Sequence, residues 1–280
     1  AVTILYSAGM KLKKPSLRTT SKKITFSSLN TWNKRLAVLH AVQGVAILLL
    51  AKAVSWPITT SFLTIDTIAT KASGSPVLSP AAQTICHVNV AYFVALFFFM
   101  SAIAHIIIAT KYRKTYETNL AKGINKARWI EYGLSASTMM VAIALLSGVY
   151  DLSSLIMIFV LDLIMNLMGL VMEVQNQGTK KVNWLTYWIG CLAGIVPWIV
   201  FAIYVIGSNM YGSGGIPTFV YFIYASMFIF FNCFAVNMYL QYKKKGKWAD
   251  YLYGERVYMI LSLVAKTALA WQVFFGSLRP

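Results

Sequence analysis

Residues 256–275 read RVYMILSLVAKTALAWQVFF, from Arg256 to Phe275. Twenty residues is the length a helix needs to cross the ~30 Å apolar core of a bilayer. After Arg256 at its start, the stretch carries one charge, Lys266, at its middle. At 1.5 Å rise per residue the lysine lies about 15 Å from either surface. A lysine stem cannot snorkel that far. The stretch therefore predicts a membrane helix, and a lysine kept inside it at a cost of ~2.5–3.5 kcal/mol.

Working outward, six more stretches have the length and apolarity to span: residues 36–55, 87–109, 129–149, 153–174, 184–206 and 217–240. Each tolerates a few polar residues, as helices around a polar interior do. The fold class is all-α, a seven-helix transmembrane bundle. Composition agrees: 58% of the 280 residues are hydrophobic and 12% are charged, against roughly 25% charged in soluble domains. No Gly/Ser- or Pro-rich linker divides residues 31–280, so they form one domain. Residues 1–30, basic and Ser/Thr-rich, read as a disordered arm.

The net charge of +17 would suggest nucleic acid in a soluble protein. Here the lysines and arginines sit in short clusters between apolar runs, and no basic face with interleaved aromatics remains for a nucleic acid to follow. The clusters set orientation instead. With the N-terminus cytoplasmic, 21 lysines and arginines fall on inside segments and three, Lys52, Lys71 and Arg279, on outside ones. The expectation is N-terminus in, C-terminus out, in a multi-pass protein of the plasma membrane. The longest connection, about 57–86, predicts a short β-hairpin on the outer surface and a candidate dimer contact. Cys86, Cys191 and Cys233 show no metal or disulfide spacing and read as packing residues.

Lys266 has two readings. One is a buried ion pair that fixes helix packing. The other is an amine that forms a Schiff base with a carbonyl ligand, because a desolvated lysine is available as the neutral nucleophile. A protonated Schiff base then needs an anion, and two acids lie deep enough, Glu131 and Asp162. Arg128, three residues before Glu131 on the same helix face, is expected to reach the cytoplasmic boundary. Ser135 and Ser262 stand one turn from Glu131 and Lys266, where their hydroxyls could bond the pair. Asp162, Asn166, Gly169 and Glu173 share one face of the fourth span, with Glu173 at the interface. His40 and His105 fall in the same third of the membrane as Glu131, as candidate proton acceptors. His87 reads as interfacial.

Several motifs together carry a family resemblance. They are Leu39-His40-Ala41-Val42-Gln43 in the first span, Arg128-Trp129-Ile130-Glu131-Tyr132 with Ser135 and Ser137 in the third, Glu173-Val174-Gln175-Asn176 ending the fourth, and Ser262 four residues before Lys266. Over about residues 30–277 the chain resembles the heliorhodopsins. Their topology is inverted relative to G-protein-coupled receptors and ordinary microbial rhodopsins, as the loop charges expect here. The resemblance implies all-trans retinal on Lys266, Glu131 as its counterion, His40 and His105 in a cytoplasm-facing polar cavity, a homodimer and a slow photocycle. It favours signalling through a cytoplasmic partner over pumping. Aromatic residues of the last three spans, Trp188, Trp198, Phe230, Phe231 and Trp271, are expected to flank the polyene, with Met165 and Gly169 leaving room for it.

Three functions stay open: a light sensor, a light-gated or light-driven proton conductor using Asp162 and Glu173, and a transporter with a buried ion pair that absorbs no visible light. No metal-ligand cluster or nucleophile–base arrangement points to an enzyme.

Overall fold

The computed structural model describes residues 23–280, so most of the expected N-terminal arm lies outside the described residues. Seven helices long and apolar enough to cross a membrane are present among them. In chain order the elements are α1 (Phe26–Leu50), β1 (Ser55–Ile65), α2 (Thr67–Ser73), β2 (Leu78–Asn89), α3 (Val90–Ala109), α4 (Arg113–Ala121), α5 (Lys126–Leu146), α6 (Leu152–Gln175), α7 (Leu185–Tyr211), α8 (Thr218–Tyr242) and α9 (Tyr251–Val273). A π-helical turn at Phe274–Leu278 extends α9. The spans are α1, α3, α5, α6, α7, α8 and α9, and the protein is an integral, multi-pass membrane protein.

The helix starts follow local capping chemistry. Thr25 and Ser28 form a capping box at α1. This corrects the expected first span: the helix begins ten residues before residue 36 and takes in residues 26–30 of the expected arm. Its polar first turns are tolerated because Asn30 and Asn33 are buried in the bundle. Asn125, Asp151 and Asp250 cap α5, α6 and α9 through backbone N–H groups of the first turn. Bonds from the Ser153 hydroxyl and the Ser154 amide hold the Asp151 carboxyl below the usual carboxylate range.

The hairpin is longer than expected. Its strands pair antiparallel from Ser55↔Asn89 to Ile65↔Leu78, with a bulge at Ile58/Thr59 and α2 at the tip. Thr59 N donates to Tyr150 O, which ties the hairpin to the α5–α6 connection. The C-terminus is on the same side, where Lys52 N donates to Leu278 O. We call this end the hairpin face. The opposite end, with α4 and most of the lysines and arginines, is the basic face.

Around the bundle α1 packs on α3, α3 on α5, α5 on α6, α6 on α7, and α8 on α9, which returns to α1. Side chains join α7 to α8: Tyr224 Oη donates to Trp198 O at 2.9 Å. The interior is asymmetric. Toward the hairpin face it is filled by Val94, Phe97, Met140, Leu145, Phe201, Leu269 and Val273, among others. Toward the basic face it holds nearly all the buried polar groups.

Candidate functional site

Lys266, on α9, is 3% exposed. Its Nζ donates to Ser262 Oγ at 2.8 Å, one turn earlier on the same helix, and to Glu131 Oε1 at 3.1 Å across the bundle on α5. The Tyr132 ring lies 5.3 Å from the ammonium. Glu131 Oε1 also accepts from Ser135 Oγ at 2.8 Å and from Ser101 Oγ of α3 at 2.5 Å. A buried carboxylate with one cation and two hydroxyl donors is compensated as a buried charge requires. α3, α5 and α9 thus meet at a single oxygen.

On the other side of Lys266 a cavity of about 170 Å³ opens between α5, α6, α7, α8 and α9. A single water needs only ~10–15 Å³, so this is space for an organic ligand and no packing defect. Its wall is mostly aromatic and apolar, including Trp129, Tyr132, Trp198, Phe228, Phe231 and Tyr258. A carbonyl compound with a long apolar body could occupy it and reach the Lys266 amine. The heliorhodopsin family matches the chain over residues 29–278. The chain belongs to the heliorhodopsin family.

Among solved structures, this heliorhodopsin is similar to a light-driven proton pump, LR (Mac), from Leptosphaeria maculans. Identity is 16% and the TM-score 0.60, over 90% of this chain and 96% of that one. A likeness at that identity shows a shared fold. Among curated proteins, none matches. Family and fold make the protein a retinal-binding rhodopsin, and rhodopsins are light-absorbing proteins, not enzymes in the ordinary sense.

The cavity fits such a chromophore. Two glycines keep it open: a Cβ at Gly169 would overlap the Trp129 ring, and one at Gly194 would strike Met165 Sδ. Met165 and Gly169 both line it, as do Trp198 and Phe231. Three aromatic placements need correcting. Phe230 is absent from the wall, because α8 turns Phe228, Phe231 and Ala235 inward at helical spacing. Trp271 is also off the wall. It lies five residues after Lys266, well around the helix, and its Nε1 donates to Gln43 Oε1 of α1 at 3.3 Å. Trp188 is 62% exposed on the outside of α7.

His40 and His105 come together. Their rings stack at 5.7 Å with 3° between planes, and His105 Nδ1 is hydrogen-bonded to Asn33 Oδ1 at 2.7 Å. Both nitrogens of His40 and Nε2 of His105 are buried with no partner among the described residues. Ser101, one turn from His105 on α3, is the Glu131 partner, so the pair adjoins the site. Asp162 is apart from it. Its Oδ2 lies 3.1 Å from both Ser137 Oγ and Asn166 Nδ2, and its Oδ1 has no partner among the described residues.

Arg128 and Glu173 depart most from expectation. Both are at the basic-face ends of their helices but turned into the bundle, 5% and 2% exposed. Arg128 Nη2 donates to Glu173 Oε1 at 2.5 Å, and Nη1 donates to Glu255. Asn125 donates its backbone N–H to Glu173 at 2.8 Å and its side-chain amide to Glu255 at 2.6 Å. Tyr251 Oη and Trp129 Nε1 complete the shell of Glu173 at 3.0 and 2.7 Å.

The sequence reading missed Glu255, Ser101 and Tyr258. Glu255, Tyr258, Ser262 and Lys266 follow the 3-4-4 spacing of one helix face, a signal that could have placed Glu255 inside. Ser101 had a similar one, four residues from His105.

Proposed function

We propose that this heliorhodopsin is a light sensor, with all-trans retinal held on Lys266 and Glu131 as counterion. The observation that carries the reading is the Lys266 amine, 3.1 Å from Glu131 and 2.8 Å from Ser262, at the wall of an aromatic cavity. Bound to Lys266 through a protonated Schiff base, retinal supplies a light-driven isomerisation. The chain's own residues do the rest. Glu131 offsets the positive charge at Nζ, and Ser101 and Ser135 hold Glu131 in place. Ser262 orients the amine. When the proton leaves that nitrogen, Glu131 and the stacked His40–His105 pair are the buried bases at hand. Leu269, Val273, Phe97 and Met140 exclude water on the hairpin side.

The charge asymmetry of the loops supports a cytoplasmic basic face, which in the plasma membrane is the face a signalling partner would read. The exposed apolar tip of the hairpin, with Phe62, Leu63 and Ile65, supports a homodimer. The experiment is a visible spectrum of purified protein with added all-trans retinal, for wild type and Lys266→Ala. The band is expected in the first and absent in the second. A band retained in Lys266→Ala overturns the attachment.

A second reading, light-driven or light-gated proton transport, has one observation in its favour: Asp162 Oδ1 is buried without a partner among the described residues. Against it, no hydrogen bond among the described residues joins Asp162 to Glu131 or to Glu173. Trp129 fills the gap between Asn166 and Glu173, over Gly169.

A further inference from the structure

Trp129 belongs to two sites at once. On α5, Trp129, Tyr132, Ala136 and Met139 recur at helical spacing and form one wall of the cavity. The Trp129 ring lies against Gly169 of α6, where an added Cβ would overlap it. The side chain is 6% exposed and has no free volume on that side. Its polar edge faces the other way: Nε1 donates to Glu173 Oε2 at 2.7 Å. The Arg128 guanidinium stacks 4.4 Å from the Trp129 ring and 4.0 Å from the Tyr258 ring, and Tyr258 also lines the cavity.

The cluster beyond this layer joins Arg128 to two carboxylates, Glu173 and Glu255. It ties together the start of α5, the end of α6 and the start of α9, at the basic face. Asn125 caps α5 and donates to both carboxylates, so helix start and cluster move as a unit. Inside a membrane, where water cannot replace a lost partner, the arrangement is kept whole or exchanged for another.

We infer that Trp129 is the relay residue of the light response: it couples the shape of the cavity to the Arg128–Glu173–Glu255 cluster and so to the basic face. The inference rests on the sensor reading and adds its route. The indole cannot move away from Gly169 without changing its bond to Glu173, and Glu173 cannot shift without disturbing Arg128. Trp129 acts here as a positioning residue. The Lys266–Glu131 pair is not on this path, so the relay reads the walls of the cavity and not the charge at its end.

The test is infrared difference spectroscopy, light minus dark, on retinal-loaded protein with and without ¹⁵N-labelled indole. An isotope-sensitive indole N–H band should appear in wild type and vanish in Trp129→Phe, which assigns it. In Glu173→Gln, whose side chain is off the cavity wall, the band should shift because its acceptor has lost its charge. Gly169→Ala, which crowds the ring, should shift the N–H stretch already in the dark. Spin labels at exposed Lys122 and Lys247 should change separation on illumination, and Trp129→Phe should reduce that change roughly threefold or more. A photoproduct without a Trp129 N–H band, or a band indifferent to Glu173→Gln, overturns the relay and leaves the sensor reading standing. A wild type with no photoproduct overturns both.

Discussion

Replacing Arg128 by methionine should be among the most destabilising single changes in this protein. Met fills similar volume with an apolar chain, so little of the loss comes from a cavity. What is lost is the cation facing two carboxylates, Glu173 and Glu255, each 1–2% exposed. Breaking a buried pair from one side costs about 3–5 kcal/mol, because a charge is left without compensation. Two cation–π contacts, at 4.4 and 4.0 Å, are lost with it, at roughly 0.5–2 kcal/mol each. The carboxylate substitutions should cost less, in a fixed order. Glu173 accepts from two donors on each oxygen: Arg128 and Tyr251 on Oε1, Asn125 and Trp129 on Oε2. The NH₂ introduced by Glu173→Gln meets two N–H donors at the Oε2 position, or Arg128 at Oε1, where the Tyr251 hydroxyl must turn to accept. Glu255 accepts one donor per oxygen, from Asn125 and Arg128, so the amide introduced by Glu255→Gln opposes one. An unsatisfied buried polar group costs about 1–3 kcal/mol, and four accepted bonds are disturbed at Glu173 against two at Glu255, so Glu173→Gln should cost more than Glu255→Gln. The assay is reversible unfolding in mixed micelles at increasing SDS fraction, followed by circular dichroism. An Arg128→Met cost under about 1 kcal/mol, or the reverse order for the two glutamates, would refute the view of a desolvated, tightly shared cluster.

Glu131→Gln should move the visible maximum to longer wavelength, since the anion stabilises positive charge at the nitrogen and excitation moves that charge away along the polyene. If Asp162→Asn shifts the band and Glu131→Gln does not, the counterion assignment is wrong. A tag at the C-terminus should be accessible on intact cells and one at the N-terminus should not; the reverse labelling would overturn the proposed orientation. Under voltage clamp, illumination should give no sustained proton current in wild type. A current abolished by Asp162→Asn would replace the sensor reading with transport.

What the sequence made readable was whatever depends on one helix at a time. The seven spans follow from apolar length, and Lys266, Ser262, Glu131 and Ser135 from depth and one-turn spacing within α9 and α5. Hydropathy finds apolar runs, however, and not helix ends. α1 starts with a Thr25–Ser28 capping box and polar turns whose asparagines face inward, so its first ten residues fell outside the expected span. Asp250 likewise caps α9, which starts at Tyr251, five residues before Arg256, and carries Glu255 inside. The Arg128 cluster was hidden for a different reason. Its members are 45 and 127 residues apart in sequence, and each alone resembles an ordinary interfacial charge. Phe230 and Trp271 show the limit for aromatics, whose abundance in a membrane bundle says little about which of them face a cavity.

The distribution of polarity constrains where any response can go. Between Lys266 and the hairpin face the interior is close-packed and apolar, with Leu269, Ala270 and Val273 following the lysine on α9. Ser147 is a buried polar residue at that end, and its hydroxyl bonds back to Ile143 O. A charge displaced in that direction would meet neutral side chains, Gln43, Ser226 and Gln272 among them, at much of the cost of an ion in hydrocarbon. Toward the basic face the same lysine meets Glu131, then Ser101 and the His40–His105 pair, and beside them the aromatic layer of Trp129, Tyr132 and Tyr258 backed by Arg128. Packed interiors switch between discrete arrangements and do not deform smoothly. A perturbation in the cavity of this chain therefore has one soft direction, through polar groups that can exchange partners, and that direction ends at α4, the α6–α7 connection and the start of α9.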